Sequence, residues 1–212
     1  MALTSYSALK TAVASWLNRT DLTDTIDDFI DAAEAKMSRR LHDRQMVERV
    51  VYTDTDTETI ALPEDFGGIV SLRVNDGYPT ELIYVSPDQM DDTVRKASAG
   101  AGRPRYYSIS GDVIILSPVP AASTDEDGYE LRMRYRKRIP ALSSTNATNW
   151  VLDRHPDLYL YACMEQGALF LRDWETAAQM AGRVEALIRE AETDAIAQKL
   201  GANLQMQSPG VV

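Results

Sequence analysis

The sequence predicts an α+β fold: an antiparallel helical bundle formed by N- and C-terminal helix pairs, with a β-rich insert of antiparallel hairpins between them. Three observations lead there. Apolar residues recur at helical spacing near both ends of the 212-residue chain. They alternate with period two through the middle, between polar turn clusters. Helical pairs separated in this way bury their apolar stripes most simply against one another, with the insert projecting from them. The boundaries read as 1–44 and 141–201 for a discontinuous bundle, 45–140 for the insert and 202–212 for an extended arm.

The first helix is signalled by Thr4 or Ser5 as N-cap and by Tyr6, Leu9, Val13, Trp16 and Leu17 on one face. After the break Asn18–Asp21, Thr23 is expected to cap a second helix that carries Ile26, Phe29, Ile30, Ala33, Met37 and Leu41. Its charges are ordered along the axis. Asp24, Asp27, Asp28 and Asp31 come early and Arg39, Arg40 and Arg44 late, which complements the helix dipole at each end.

Past Gln45, Met46–Thr53 and Thr57–Leu62 read as a hairpin around Asp54-Thr55-Asp56, and Ile69–Val74 with Pro79–Val85 as a second. Ser86-Pro87-Asp88-Gln89 has the form of a capping box with Pro at the first helical position. Ala97–Gly102 reads as a loop. Tyr106–Ser110 and Val113–Leu116 form a third hairpin, and Tyr129–Arg138 a longer strand. Helical spacing returns at His155-Pro156-Asp157, with His155 expected to cap a helix. Asp173 starts a last helix that Gly201 is expected to stop.

Composition bounds the function. Apolar residues make up 44% and charged residues 25%, which excludes wholesale disorder. No stretch approaches the roughly 20 apolar residues of a membrane span, and neither a secretory leader nor a membrane partner is expected. Cys163 is the only cysteine, so there is no disulfide framework and no thiolate zinc site. With 22 basic against 32 acidic residues the net charge is −10, which repels nucleic acid over most of the surface.

Motifs for chemistry are sparse. Asp27, Asp28 and Asp31 have a spacing that could share magnesium between adjacent helical turns, so a magnesium-dependent enzyme is one alternative. The helix dipole already accounts for acids at that place. Asp54, Asp56 and Glu58 alternate like the start of a calcium loop but lack its glycine. The two histidines, His42 and His155, stand beside no Ser or Cys signature. No catalytic residue, metal or cofactor is expected.

Tyr129–Arg138 is the most informative segment. Tyr129, Leu131, Met133 and Tyr135 alternate with Arg132, Arg134, Arg136 and Arg138, which gives an apolar face and an arginine face on an acidic protein. The arginines suit contact with a carboxylate-rich surface. The acid-rich run that contains Asp27, Asp28 and Asp31, on a neighbouring copy, is the complement. The alternative is a solvated outer strand.

The chain resembles the head-to-tail adaptor (head-completion or connector) proteins of tailed bacteriophages. The resemblance is carried by Tyr6…Leu9…Val13…Trp16-Leu17-Asn18-Arg19-Thr20-Asp21-Leu22, by Asp28-Phe29-Ile30…Ala33-Glu34…Arg39-Arg40-Leu41 and by Leu62-Pro63-Glu64-Asp65-Phe66. It continues with Tyr106-Tyr107-Ser108-Ile109-Ser110-Gly111-Asp112, Pro118-Val119-Pro120, Asn146–Leu152 and Pro156–Ala162. It implies a virion neck protein assembled in the host cytoplasm: a homo-oligomeric ring, usually twelvefold, with portal protein above and a tail or nozzle protein below. The ring continues the DNA channel without reading sequence. A stopper or tail-tube component is the nearest alternative. Such adaptors reach the portal through C-terminal regions, which makes Leu204, Met206, Val211 and Val212 the expected portal contacts.

Overall fold

The computed structural model describes residues 3–75, 77–94, 100–120 and 129–204. The fold is α+β, with helices at both ends and strands in the middle. The chain divides into two compact units, one of Met1–Gln45 with Ile139–Val212 and one of Met46–Arg138. No helix among the described residues is long and apolar enough to cross a membrane.

The first unit contains α1 (Tyr6–Leu17), α2 (Thr25–Arg40), α3 (Trp150–Arg154), α4 (Pro156–Phe170) and α5 (Trp174–Leu204). Ser5 caps α1 by accepting from the Ala8 amide at 3.2 Å, and Asn18 ends it in the left-handed conformation at φ 51°. Thr23 does not cap α2. Asp24 holds the N-cap position without a side-chain bond, while the Thr23 hydroxyl donates to the Thr20 carbonyl. Leu9, Ala12 and Val13 of α1 and Ile26, Phe29, Ile30, Ala33 and Met37 of α2 are buried, as their spacing requires.

α4 is the centre of this unit and packs against α1, α2 and α5. It is buried nearly all round, from Leu158 to Ala168. Gly167 sits where an added Cβ would lie 2.9 Å from a methyl of Leu17, so a glycine lets α1 approach closely. His155 stands at the N-cap of α4 but makes no capping bond. Asn149 instead caps the preceding α3 by accepting from the Leu152 amide at 3.0 Å. Asp173 accepts from Thr176 at the start of α5. Gly201 does not stop α5, which runs on to Leu204. A helical glycine costs only about 1 kcal/mol against alanine, and nothing in Ala202-Asn203-Leu204 breaks a helix.

The second unit holds β1 (Val47–Thr55), β2 (Thr59–Ala61), β3 (Phe66–Val74), β4 (Thr80–Glu81), β5 (Ile83–Tyr84), β6 (Tyr106–Ser110), β7 (Val113–Ser117) and β8 (Tyr129–Lys137). They form two four-stranded sheets, β1-β8-β3-β4 and β2-β7-β6-β5. The hairpin expected at Asp54–Asp56 is absent as a pairing, because β1 joins β8 and β2 joins β7. The second expected hairpin survives as Arg73↔Glu81 and Val74↔Thr80, after which β5 crosses to the other sheet. The third is intact: β6 and β7 pair antiparallel around Gly111 at φ 59°. The capping box is present as read, with Ser86 and Gln89 exchanging bonds around Pro87.

One apolar cluster draws from both sheets, with Leu72, Val74, Leu131, Met133 and Tyr135 from the first and Ile60, Tyr107, Ile114 and Leu116 from the second. This cluster explains the departure from simple hairpins. Strands with one apolar face bury more surface when divided between two facing sheets than when kept in local pairs.

Candidate docking surfaces

The alternation along β8 holds in three dimensions. Leu131, Met133 and Tyr135 are buried, while Arg132, Arg134 and Arg136 stand on the other face. β8 is not an outer strand, however. It lies inside its sheet, paired on one side with β1 and on the other with β3. Arg138 follows the end of the strand, exposed, with its amide bonded to the Asp65 carbonyl at 2.7 Å.

Strand pairing enlarges the arginine face with two residues from the strands on either side of β8. Arg49 of β1 lies directly opposite Arg134, and Arg73 of β3 directly opposite Arg132. With Ser71 and Pro79 these four arginines line a shallow cavity of about 160 Å³. Like charges placed directly opposite destabilise a sheet, so this arrangement does nothing for the fold. Only part of the charge is answered locally. Arg132 pairs with Glu130, and Arg73 with Glu81 at 3.2 Å. The Arg132 guanidinium, helped by Asn75 and Arg49, holds the Glu130 carboxyl below the usual range. Arg49 and Arg134 form no ion pair among the described residues. Val47 and Val51 stand on the same face opposite Arg136 and Arg132, 43% and 40% exposed.

The acids of α2 divide into two groups. Asp27 accepts from the Tyr6 hydroxyl and the Lys10 ammonium, each at 2.6 Å, and these partners hold its carboxyl below the usual range against a burial effect that raises it. Asp28 and Asp31 are exposed, as is Asp24. Asp24, Asp28 and Asp31 form no ion pair among the described residues. Their spacing places them in one stripe along α2. Among the described residues, no group of three or more His, Cys, Asp or Glu is arranged to hold a metal ion.

Deeper in the same unit is a polar hub. Glu34 accepts at one oxygen from the Leu142 amide at 2.8 Å and from the Tyr159 hydroxyl at 2.7 Å. Asn149 donates to the Tyr159 oxygen and to the Pro140 carbonyl, both at 2.7 Å. Burial pushes the Glu34 carboxyl up despite these two donors, and the charge of Asp31 adds to the effect. Cys163 is buried nearby, its thiol pushed up by burial and by Glu34, consistent with a small core residue. The hub ties the segment returning from the strands to α2 and α4. It is structural.

A groove of about 520 Å³ lies elsewhere on this unit, lined by Leu3, Trp16, Leu152, Leu160 and Tyr161 together with Asp153 and Asp157. Trp16 is 53% exposed and meets Tyr161 edge-on at 6.0 Å. Of the expected portal contacts, Leu204 is the last residue of α5 rather than part of an extended segment. Met206, Val211 and Val212 lie outside the described residues, as do positions 97–99 of the expected loop.

A family model described as SU10 adaptor protein matches residues 4–211. No curated protein matches the chain.

Proposed function

The chain belongs to the SU10 adaptor protein family, phage head-to-tail adaptors and not enzymes, and from that premise we propose that it forms a twelvefold ring in the virion neck. The ring sits below the portal and above a tail or nozzle protein and continues the DNA channel. Copies assemble in the bacterial cytoplasm on finished heads. The observation that carries this reading is the family match itself, which runs over nearly the whole chain. Two properties of the molecule support it. A net charge of −10 suits a passage through which DNA must slide, since a basic wall would hold the phosphates. One chain also carries both an arginine face and an aspartate stripe, and contacts between unlike surfaces on identical subunits generate a ring wherever the rotation between neighbours closes.

Leu204, Met206, Val211 and Val212 are the portal contacts in this reading, and the duplex passes without any base being read. The test is assembly of the phage without this chain. DNA-packaging heads and complete tails should accumulate unjoined, and purified chain added back should restore joining. Joined particles in its absence would overturn the reading.

A further inference from the structure

We infer that the arginine face of the sheet is the seat for the aspartate stripe of α2 on a second copy of this chain, with Arg49 and Arg134 facing Asp24, Asp28 and Asp31, and with Arg73 and Arg132 beside them sharing their guanidiniums with Glu81 and Glu130. This rests on the ring reading above and names the contact within it. Neither Arg49 nor Arg73 is apparent until the strands are paired, and Asp27 is excluded because Tyr6 and Lys10 already hold it.

The dimensions agree. Asp24 to Asp31 is a rise of about 10 Å along a helix. Arg49 to Arg73 crosses two strand spacings and one two-residue step, a diagonal of about 12 Å between Cα atoms. A helix laid along that diagonal brings each exposed carboxylate within reach of at least one guanidinium, and guanidiniums take carboxylates two bonds at a time.

The composition of the face argues for protein over DNA. Exposed Val47 and Val51 stand among the arginines, and Glu130 and Glu81 stand beside them. The glutamates oppose any anion, so the valines decide: a phosphate backbone would leave them without apolar contact. Helix α2 offers aspartates to the arginines and the exposed Ala32 and Ala35 to the valines, in the mixture of arginine and apolar surface typical of protein interfaces. Among protein partners, this chain's own stripe complements the face in charge and length.

The experiment reverses each side and then both. Arg49→Glu with Arg134→Glu, and separately Asp28→Arg with Asp31→Arg, are made in the full chain and added to heads that lack it. Copies retained per head are counted, and neighbouring copies are cross-linked. Each reversal alone should lower retained, cross-linked copies on the order of a hundredfold, as expected for opposed like charges at an interface. The four-fold variant should recover to within about tenfold of the parent chain, since the pairs re-form with exchanged sign. Recovery also removes misfolding as an explanation, because that variant carries the most changes. Loss without recovery would assign the face to a different acidic protein and overturn the inference, and so would reversals without effect. If the parent chain itself fails to join heads, the adaptor reading falls instead.

Discussion

Glu34→Ala is expected to lower the thermal transition of the helical unit by about 6–12 °C, while Glu34→Gln leaves it nearly in place. The alanine strips the acceptor from the buried Leu142 amide and from Tyr159 and opens a void beside α4. Each orphaned buried donor costs about 1–3 kcal/mol, and the void adds to that. A total near 3 kcal/mol moves a domain of this size by about that interval. Glutamine keeps an oxygen for both donors and sheds a charge that burial opposes.

The parent chain and the glutamine variant also separate in acid. Burial raises the folded Glu34 above its unfolded value, so its contribution is fully present below the unfolded value and is lost as pH rises through the folded one. Relative to Glu34→Gln, the parent chain should therefore gain stability as pH falls from neutrality towards the ordinary glutamate range. Helical melting followed at a series of pH values measures both effects. Equal melting of the two variants, or a pH trend of opposite sign, would show that Glu34 does not organise the hub.

Deleting residues 205–212 is expected to leave both units folded and to abolish attachment to portal-bearing heads. α5 spans about 46 Å and its side chains stay packed as far as Ala195, so the deletion begins beyond the packed stretch. The deleted stretch contains Met206, Val211 and Val212 and no Asp, Glu, Lys or Arg. Seating those three in a groove would contribute on the order of 4–6 kcal/mol before ordering costs. Their removal should weaken binding to isolated portal by roughly a hundredfold or more. Full attachment by the shortened chain would place the portal contact elsewhere.

Much of this architecture could be read from the residues. The ordered charges of α2 located that helix, and the parity of Leu131, Met133 and Tyr135 against the arginines located both faces of β8. What parity cannot reveal is which strands lie beside β8. The extension of the basic face by Arg49 and Arg73 therefore needed the pairing. α4 was found by spacing, but its burial on nearly every side hid which partners it meets. The α3 cap had a legible signal in Asn149 before Trp150-Val151-Leu152, overshadowed by the Pro156 that follows. Tyr159 and Glu34 stand 125 positions apart, and no local pattern could have joined them. Glycine often ends helices, which points to a stop at Gly201, yet its cost is small when the next residues remain helix-compatible.

Electron cryomicroscopy of the neck in joined particles, reconstructed without imposed symmetry, is the most direct measurement of the proposed role. A single closed ring of twelve copies should lie between portal and tail, with neighbouring copies in contact and the duplex passing through its centre. One copy, copies that do not touch, or density for this chain outside the head-to-tail junction would contradict it.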